Sequence, residues 1–313
     1  MKKHCKRILI CLLATTLLCC PAFAAIKGSS TPRNARFGFN SLLLGAFIDN
    51  KWVAAEELQT NTLYRSQRIW GGHPCKIYGA NGFEGNGIMG AILSEHPDGM
   101  PQDQQWPGEL FFDVHLEQGG ILPADSARLV IDCDWDASPR QAQALPTSNP
   151  GYEAIIENFL AKQGLPGSKA RIMQLFRVDL EGDGVDEVVI CAQNILAKSE
   201  APQWLPNSPL AAGLDFPTRA NDGTYSLILL RKIVNGQVRD IPLAQFITLK
   251  DGDQPDAEWT PSRVHKVYQF ADLNGDGVLE IIAGQDYYEG FMYQVYAVEG
   301  GSTRLVLENG IGL

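Results

Sequence analysis

The feature that most constrains this chain is a nine-residue acidic loop that occurs twice, as DLEGDGVDE at 179–187 and as DLNGDGVLE at 272–280. An apolar run precedes each copy and another follows it. Oxygen-bearing side chains occupy loop positions one, three, five and nine, and a glycine lies on either side of position five. Because glycine tolerates a left-handed backbone, such a loop can turn alternate side chains inward. The spacing therefore predicts two strand–loop–strand turns with inward-facing acidic groups.

These oxygen-rich turns predict two calcium sites. Calcium takes six to eight oxygen ligands at flexible angles. Without a cation the like charges of one loop would repel each other at short range. The residue at position seven is expected to add a backbone carbonyl. The predicted ligands are Asp179, Glu181, Asp183, Val185 and Glu187 in the first loop, and Asp272, Asn274, Asp276, Val278 and Glu280 in the second.

An EF-hand is excluded, because position twelve must carry a bidentate Glu and is Ile190 in one copy and Ala283 in the other. Strand-like, β-branched residues follow the loops where an EF-hand has a helix. The D-x-[DN]-G-D-G-x-x-[DE] spacing of the second loop resembles FG-GAP/VCBS-type repeats, as in integrin α-chain propellers and many secreted bacterial proteins. The resemblance is confined to the loops and their flanks. Glu181 departs from the pattern, which has Asp or Asn there, so the first site is expected to be the weaker one.

The N-terminus has the pattern of a secretory signal: a basic MKKHCKR, an apolar ILICLLATTLLCC and an Ala22-Phe23-Ala24 exit. Cleavage after Ala24 would remove four of the 26 basic residues and none of the 36 acidic ones, leaving 22 against 36. We therefore predict a secreted or periplasmic protein with no membrane span after signal removal. An acidic exported chain is a poor partner for nucleic acid and a good one for divalent cations.

Composition divides the chain into successive segments. Residues 1–24 are the predicted signal peptide, and residues 25–37 are polar and predicted to be flexible. Residues 38–136 contain short β segments cut by glycine-rich turns, which predicts a β-rich N-terminal domain. Residues 137–149 are a predicted Pro- and Ser-containing linker. Residues 150–313 are predicted to hold a helix followed by two strand–calcium-loop–strand repeat units.

The predicted fold class is mainly β, with antiparallel four-stranded units that resemble propeller blades and one amphipathic helix. That helix is expected to begin at Pro150, with Asn149 as its N-cap, and to end at Gly164. Asn235-Gly236 is the strongest hairpin signal. Two blades cannot close a propeller, which takes four or more. Either the N-terminal strands supply the rest, or the two units stack as an open sandwich.

Three cysteines remain after the signal, namely Cys75, Cys133 and Cys191. An odd count in an oxidising compartment predicts one disulfide and one buried thiol, and the spacing does not choose the pair.

The sequence carries no GxSxG, HExxH, SxxK, phosphate-binding or dinucleotide-binding motif. It therefore predicts an exported calcium-binding β-repeat protein with structural metals, serving as a binding or interaction module and not as an enzyme. The alternative is a secreted hydrolase of cell-wall or polysaccharide substrates, with the repeats as accessory modules. A third hypothesis places a glycan or protein ligand on the aromatic stretch 286–296, near Tyr287 and Tyr288; the competing interpretation assigns these aromatics to the core.

Overall fold

The computed structural model describes residues 34–61, 71–93, 110–123, 126–195, 220, 222–249, 262–287 and 290–311, which form sixteen strands and two helices. Three features predicted from the sequence lie outside these residues. They are the signal peptide at 1–24, the tyrosine at 288, and most of residues 195–223, which the sequence predicts to be a long connection within the first repeat unit.

The N-terminal strands form a seven-stranded antiparallel sheet. They are β1 (Ala35–Phe39), β2 (Leu42–Ile48), β3 (Lys51–Ala54), β4 (His73–Gly79), β5 (Gly82–Leu93), β6 (Phe111–Leu116) and β7 (Leu129–Asp132). The order is β1-β7-β4-β5-β6-β2-β3, and β1 also pairs with β2. Six of the strands therefore close into a ring, and β3 pairs with β2 as an additional strand.

Two parts of this region differ from the sequence-based expectations. β1 begins inside the segment predicted to be flexible, because Ala35 and Phe37 are buried and β1 pairs with both β2 and β7. Residues 51–58 (KWVAAEEL) are among the short β segments predicted for the N-terminal domain, but the strand stops at Ala54, and helix α1 (Ala55–Thr60) begins at the next residue. Ala55 and Leu58 are both buried, and their spacing of three residues places them on one helical face.

The two repeat units are antiparallel meanders, as predicted. The first comprises β9 (Ile172–Val178), β10 (Glu187–Gln193), β11 (Tyr225–Val234) and β12 (Gln237–Ile247), with the short β8 (Gln143–Ala144) paired to β9. The second comprises β13 (Val264–Ala271), β14 (Glu280–Tyr287), β15 (Gly290–Glu299) and β16 (Ser302–Ile311). The β11–β12 hairpin turns at Asn235-Gly236, and both residues have the positive φ that a tight hairpin turn requires.

The sheet of the second unit lies between two others. Along β14, Ile281 and Ala283 belong to a core cluster shared with the first unit, whose members include Val189 and Leu230. The intervening Ile282 belongs instead to a cluster shared with Phe39 and other N-terminal residues. Because side chains alternate along a strand, the two faces of β14 serve two different cores. Both faces of this four-stranded sheet are therefore covered.

Helix α2 (Pro150–Lys162) covers the remaining face of the first unit's sheet. The Asn149 side chain accepts hydrogen bonds from the backbone N–H groups of Gly151 and Tyr152, which confirms the predicted N-cap. Ile156 and Leu160 are fully buried in a cluster with residues of β9, β10 and β11. The helix is thus a structural element that closes one end of the stack of sheets.

The predicted disulfide is wrong: Cys75, Cys133 and Cys191 are all free thiols in this structure. Cys75 and Cys191 belong to different core clusters, and Cys133 packs against a third. Desolvation by burial raises the pKa of each thiol to about 12. Such thiols are poorly reactive, because the thiolate is the nucleophilic form.

Candidate metal centre

The two acidic loops adopt the same backbone conformation. The four glycines that flank position five all have positive φ: 72° at Gly182, 84° at Gly184, 73° at Gly275 and 88° at Gly277. This is the left-handed region, which glycine adopts freely and most other residues adopt only with strain. The predicted role of the glycine pairs is therefore confirmed, as is the strand–loop–strand setting between antiparallel strands.

The carboxylate at position one organises each loop. Asp179 accepts hydrogen bonds from Gly182 at 2.6 Å through Oδ1 and from Gly184 at 2.9 Å through Oδ2. Asp272 accepts from the equivalent Gly275 and Gly277 at 2.6 and 3.0 Å. The position-five side chain caps the next turn in both copies, since its Oδ1 accepts from the N–H of the position-seven valine at 2.7–2.8 Å. The loops are therefore structural duplicates.

Position nine places a buried carboxylate at the first residue of the following strand. Glu187 accepts a hydrogen bond from the Leu180 N–H at 2.9 Å, and Glu280 accepts one from the Leu273 N–H at 2.8 Å. Only 2% of Glu187 and 1% of Glu280 is exposed. Both side chains close the loop from its far end, which is the role that their position predicts.

The closing glutamate of the second loop has the more strongly raised pKa. Burial raises the pKa of the Glu280 carboxyl well above its ordinary value, and the charges of Asp276 and Asp272 raise it further, against the lowering effect of the Leu273 hydrogen bond. Burial also raises the pKa of Glu187, and the charges of Glu181 and Asp183 raise it further, but there the positive charge of Lys232 adds to the lowering effect of the Leu180 hydrogen bond. A buried carboxylate beside like charges is stabilised by a bound cation, which favours its ionised form.

The donor set fits calcium chemically, but it is not gathered into a finished cage. Within the described residues, no group of three or more His, Cys, Asp or Glu side chains is arranged to hold a metal ion. In the second loop, Asn274 and Asp276 are hydrogen-bonded to each other and to nearby loop N–H groups. A carboxylate oxygen has more than one lone pair, so accepting an N–H does not prevent it from ligating a cation. All the side-chain donors are oxygens, as calcium prefers.

The two loops lie side by side. The N–H of Leu279 donates to the carbonyl of Leu180 at 2.8 Å, which links the second loop to the first. The chain just before α2 binds both loops. Trp135 Nε1 donates to the Asp272 carbonyl at 2.8 Å, and the Asp272 N–H donates to the Ala137 carbonyl at 2.8 Å. The segment predicted to be a linker therefore also braces the loops.

Arg140 makes the most extensive of these contacts. Its Nε donates to the Asp179 carbonyl at 2.6 Å, and its Nη2 donates to the carbonyls of Leu180 and Gly277 at 3.0 and 2.6 Å. One guanidinium thus joins the backbones of both loops. Loop spacing could not have revealed this residue. Its only sequence signal is that it is the sole charged side chain between residues 137 and 149.

We expect Arg140→Met to lower the free energy of unfolding by about 1–2 kcal/mol, because three loop carbonyls lose their hydrogen bonds from a charged donor. The loss is limited because Arg140 is partly exposed and water can replace it. Urea denaturation would measure the change. Arg140→Lys keeps the charge but not the forked donor geometry, so it should recover only part of the loss. Full recovery by lysine would show that charge alone is responsible.

The aromatic stretch is mostly core in the part that the structure describes. Tyr293 and Tyr296 are buried, and Tyr293 packs edge-to-face against Phe39 and Phe291. Its hydroxyl accepts a hydrogen bond from Asn40 at 2.8 Å. Tyr287 is partly exposed and is the last residue of β14, the strand that follows the second loop. The predicted ligand platform therefore loses Tyr293 and Tyr296, and keeps Tyr287.

A groove of about 430 Å³ lies on the N-terminal sheet, where a hydrolase would be expected to place its active site. Its lining includes a single carboxylate, Glu84, which is ion-paired with Arg128. Glycoside hydrolysis generally uses two carboxyl groups on either side of the bond. The groove therefore adds no support for the hydrolase alternative.

No family model, curated protein or solved structure matches this chain. Among the residues that the structure describes, neither helix is long and apolar enough to cross a lipid bilayer.

Proposed function

We propose that this chain is an exported calcium-binding β-repeat protein, in which calcium stabilises the strand–loop–strand turns of blade-like units of the FG-GAP/VCBS type. The observation that carries the proposal is Glu280, a carboxylate that is 1% exposed and lies beside the charges of Asp272 and Asp276. Burying such a carboxylate without a cation is costly. A divalent ion held by loop oxygens would remove that cost.

The ion is proposed to have a structural role. Both loops connect strands of the central sheets, and their contacts with Arg140, Trp135 and Ala137 are to backbone atoms. Calcium would hold each loop closed and so join the β9–β10 and β13–β14 pairs to the segment that precedes α2. Extracellular modules bind calcium with Kd values on the order of 10⁻⁴ to 10⁻³ M. At such an affinity the ion acts as a stabiliser in a calcium-rich compartment.

The biological role that we propose is binding or interaction. The face-to-face stacking of the two meanders is compatible with adjacent blades, and the N-terminal strands cover the outer face of the second one. Tyr287 is the described residue through which a glycan or protein ligand near the second loop would be contacted.

Calcium titration of EDTA-treated protein tests the proposal. At a calcium concentration about 100-fold above Kd, binding to the folded state adds about 2.7 kcal/mol to the free energy of unfolding. For a chain of 313 residues, this corresponds to a rise in melting temperature of about 4 °C for each ion bound. Magnesium is the control, because it requires near-ideal octahedral geometry and loses water reluctantly. A melting temperature that calcium leaves unchanged would overturn the proposal.

A further inference from the structure

A lysine from a neighbouring strand contacts an acidic side chain of the first loop. Lys232, on β11, has a side chain that is only 1% exposed, and its Nζ lies 2.9 Å from Oε1 of Glu181 at position three of the first loop. A buried ammonium is stable only when it is paired with negative charge. The first loop therefore already contains a cation that belongs to the protein.

Strand register places this lysine at the closing carboxylate. β10 and β11 pair with Val188 opposite Arg231, so the next pair along the ladder sets Glu187 opposite Lys232. Directly opposed residues lie on the same face of a sheet, within contact distance. The ammonium is thus paired with the carboxylate at position three, and its charge also acts on the carboxylate at position nine of the first loop.

The second loop has no such group at the equivalent place. β14 and β15 pair with Ile281 opposite Tyr296, so Glu280 is opposite Ala297. Ala297 is buried and carries no charge. The same position in two structurally duplicate units thus holds an ammonium in one copy and a methyl group in the other.

From this difference we infer that Lys232 takes the place of calcium in the first loop, so that the protein binds one calcium ion, in the second loop. The inference rests on the proposed function, which it narrows from two sites to one. The charge of Lys232 would repel a divalent ion held by Asp179, Glu181 and Glu187, and Glu181 is already engaged by the ammonium. The longer side chain at position three, where the other loop has Asn274, lets that carboxylate reach the lysine.

Equilibrium dialysis against ⁴⁵Ca²⁺ would count the ions bound by the wild type, Glu280→Gln, Glu187→Gln and Lys232→Met. We expect one ion in the wild type, none in Glu280→Gln and one in Glu187→Gln. Lys232→Met keeps the length of the side chain without its charge and should bind two. Arg231→Met is the matched control; because neighbouring side chains on a strand point to opposite faces, it should still bind one.

The outcomes separate the two proposals. Two ions in the wild type, or one ion that is lost in Glu187→Gln, would overturn this inference and leave the proposed function standing. No ion in the wild type would overturn both. One ion in a folded Lys232→Met would show that the ammonium is not what excludes calcium.

If Lys232→Met fails to fold, Glu181→Gln provides the second test. Under the inference, this variant loses a counter-ion of Lys232 and is less stable than the wild type equally in EDTA and in calcium. A loss of stability that appears only in calcium would identify Glu181 as a metal ligand and overturn the inference.

Discussion

Glu280→Gln is expected to be more stable than the wild type in EDTA and less stable than the wild type in saturating calcium. In EDTA the variant should be more stable than the wild type, because it removes a buried negative charge beside Asp272 and Asp276 while keeping an acceptor for the Leu273 N–H. In saturating calcium the wild type should be the more stable, by up to about 2.7 kcal/mol. Urea denaturation in both conditions would measure the crossing.

Glu187→Gln is the matched control for this experiment, since it makes the same change at the same position of the first loop. There the positive charge of Lys232 offsets part of the cost of burying the carboxylate, so Glu187→Gln should stabilise the calcium-free protein less than Glu280→Gln does, and its effect should be the same in EDTA and in calcium. The difference between the two glutamine variants is the informative quantity. If Glu280→Gln is destabilising in EDTA, then its carboxylate is already compensated within the protein and no cation is needed.

Acidification is expected to destabilise the protein through His265. This residue is buried; its Nδ1 lies 3.2 Å from the Ser226 hydroxyl and its Nε2 lies 3.3 Å from Oε1 of Gln285. Burial lowers the pKa of His265 to about 4, and the positive charge of Arg263 acts in the same direction. The folded protein therefore holds the imidazole neutral between two polar neighbours.

The direction of this pH effect follows from the difference in proton binding between the folded and unfolded states. The unfolded chain protonates this histidine near its ordinary pKa of about 6.5, whereas the folded state does so only near 4. Between these values the unfolded state binds more protons, so the contribution of His265 to stability is present above about pH 6.5 and is lost as the pH falls toward 4. The loss amounts to about 3 kcal/mol at pH 4. The raised pKa values of Glu187, Glu280 and Asp132 act oppositely, since their ionisation destabilises the calcium-free fold as the pH rises.

A comparison of wild type with His265→Gln isolates this contribution. In calcium-free urea titrations, the stability advantage of the wild type over the variant should shrink by about 3 kcal/mol between pH 7.5 and pH 4. The three acidic groups are common to both proteins, so their effects cancel in the difference. An advantage that stays constant with pH would show that the folded state protonates His265 as readily as the unfolded chain does.

Local signals predicted the repeat units well. The strands of both meanders, the hairpin turn at Asn235-Gly236 and the capped helix α2 follow from hydrophobic patterning and from turn and cap residues, which act over a few positions. The left-handed glycines of the loops were predictable for the same reason. The strand β1 was not, because a polar segment becomes a strand there only through pairing with β2 and β7.

The residues around the loops could not be predicted, because their partners are distant in the chain. Arg140 contacts Gly277 across 137 positions, and Lys232 reaches Glu181 only once β11 has paired with β10. The disulfide prediction was wrong for a related reason. The number of cysteines indicated a disulfide, but the three residues pack against separate cores.

Because both faces of the β13–β16 sheet are covered by other parts of the chain, truncated forms of this protein would expose one of them. A fragment beginning at Pro150 keeps both loops, but it uncovers Ile282, Tyr293 and Val295, which pack against N-terminal residues such as Phe39. It also omits Arg140. Such a fragment would expose a contiguous apolar surface to solvent and would be prone to aggregate. Binding studies on the loops therefore need the N-terminal strands to be present.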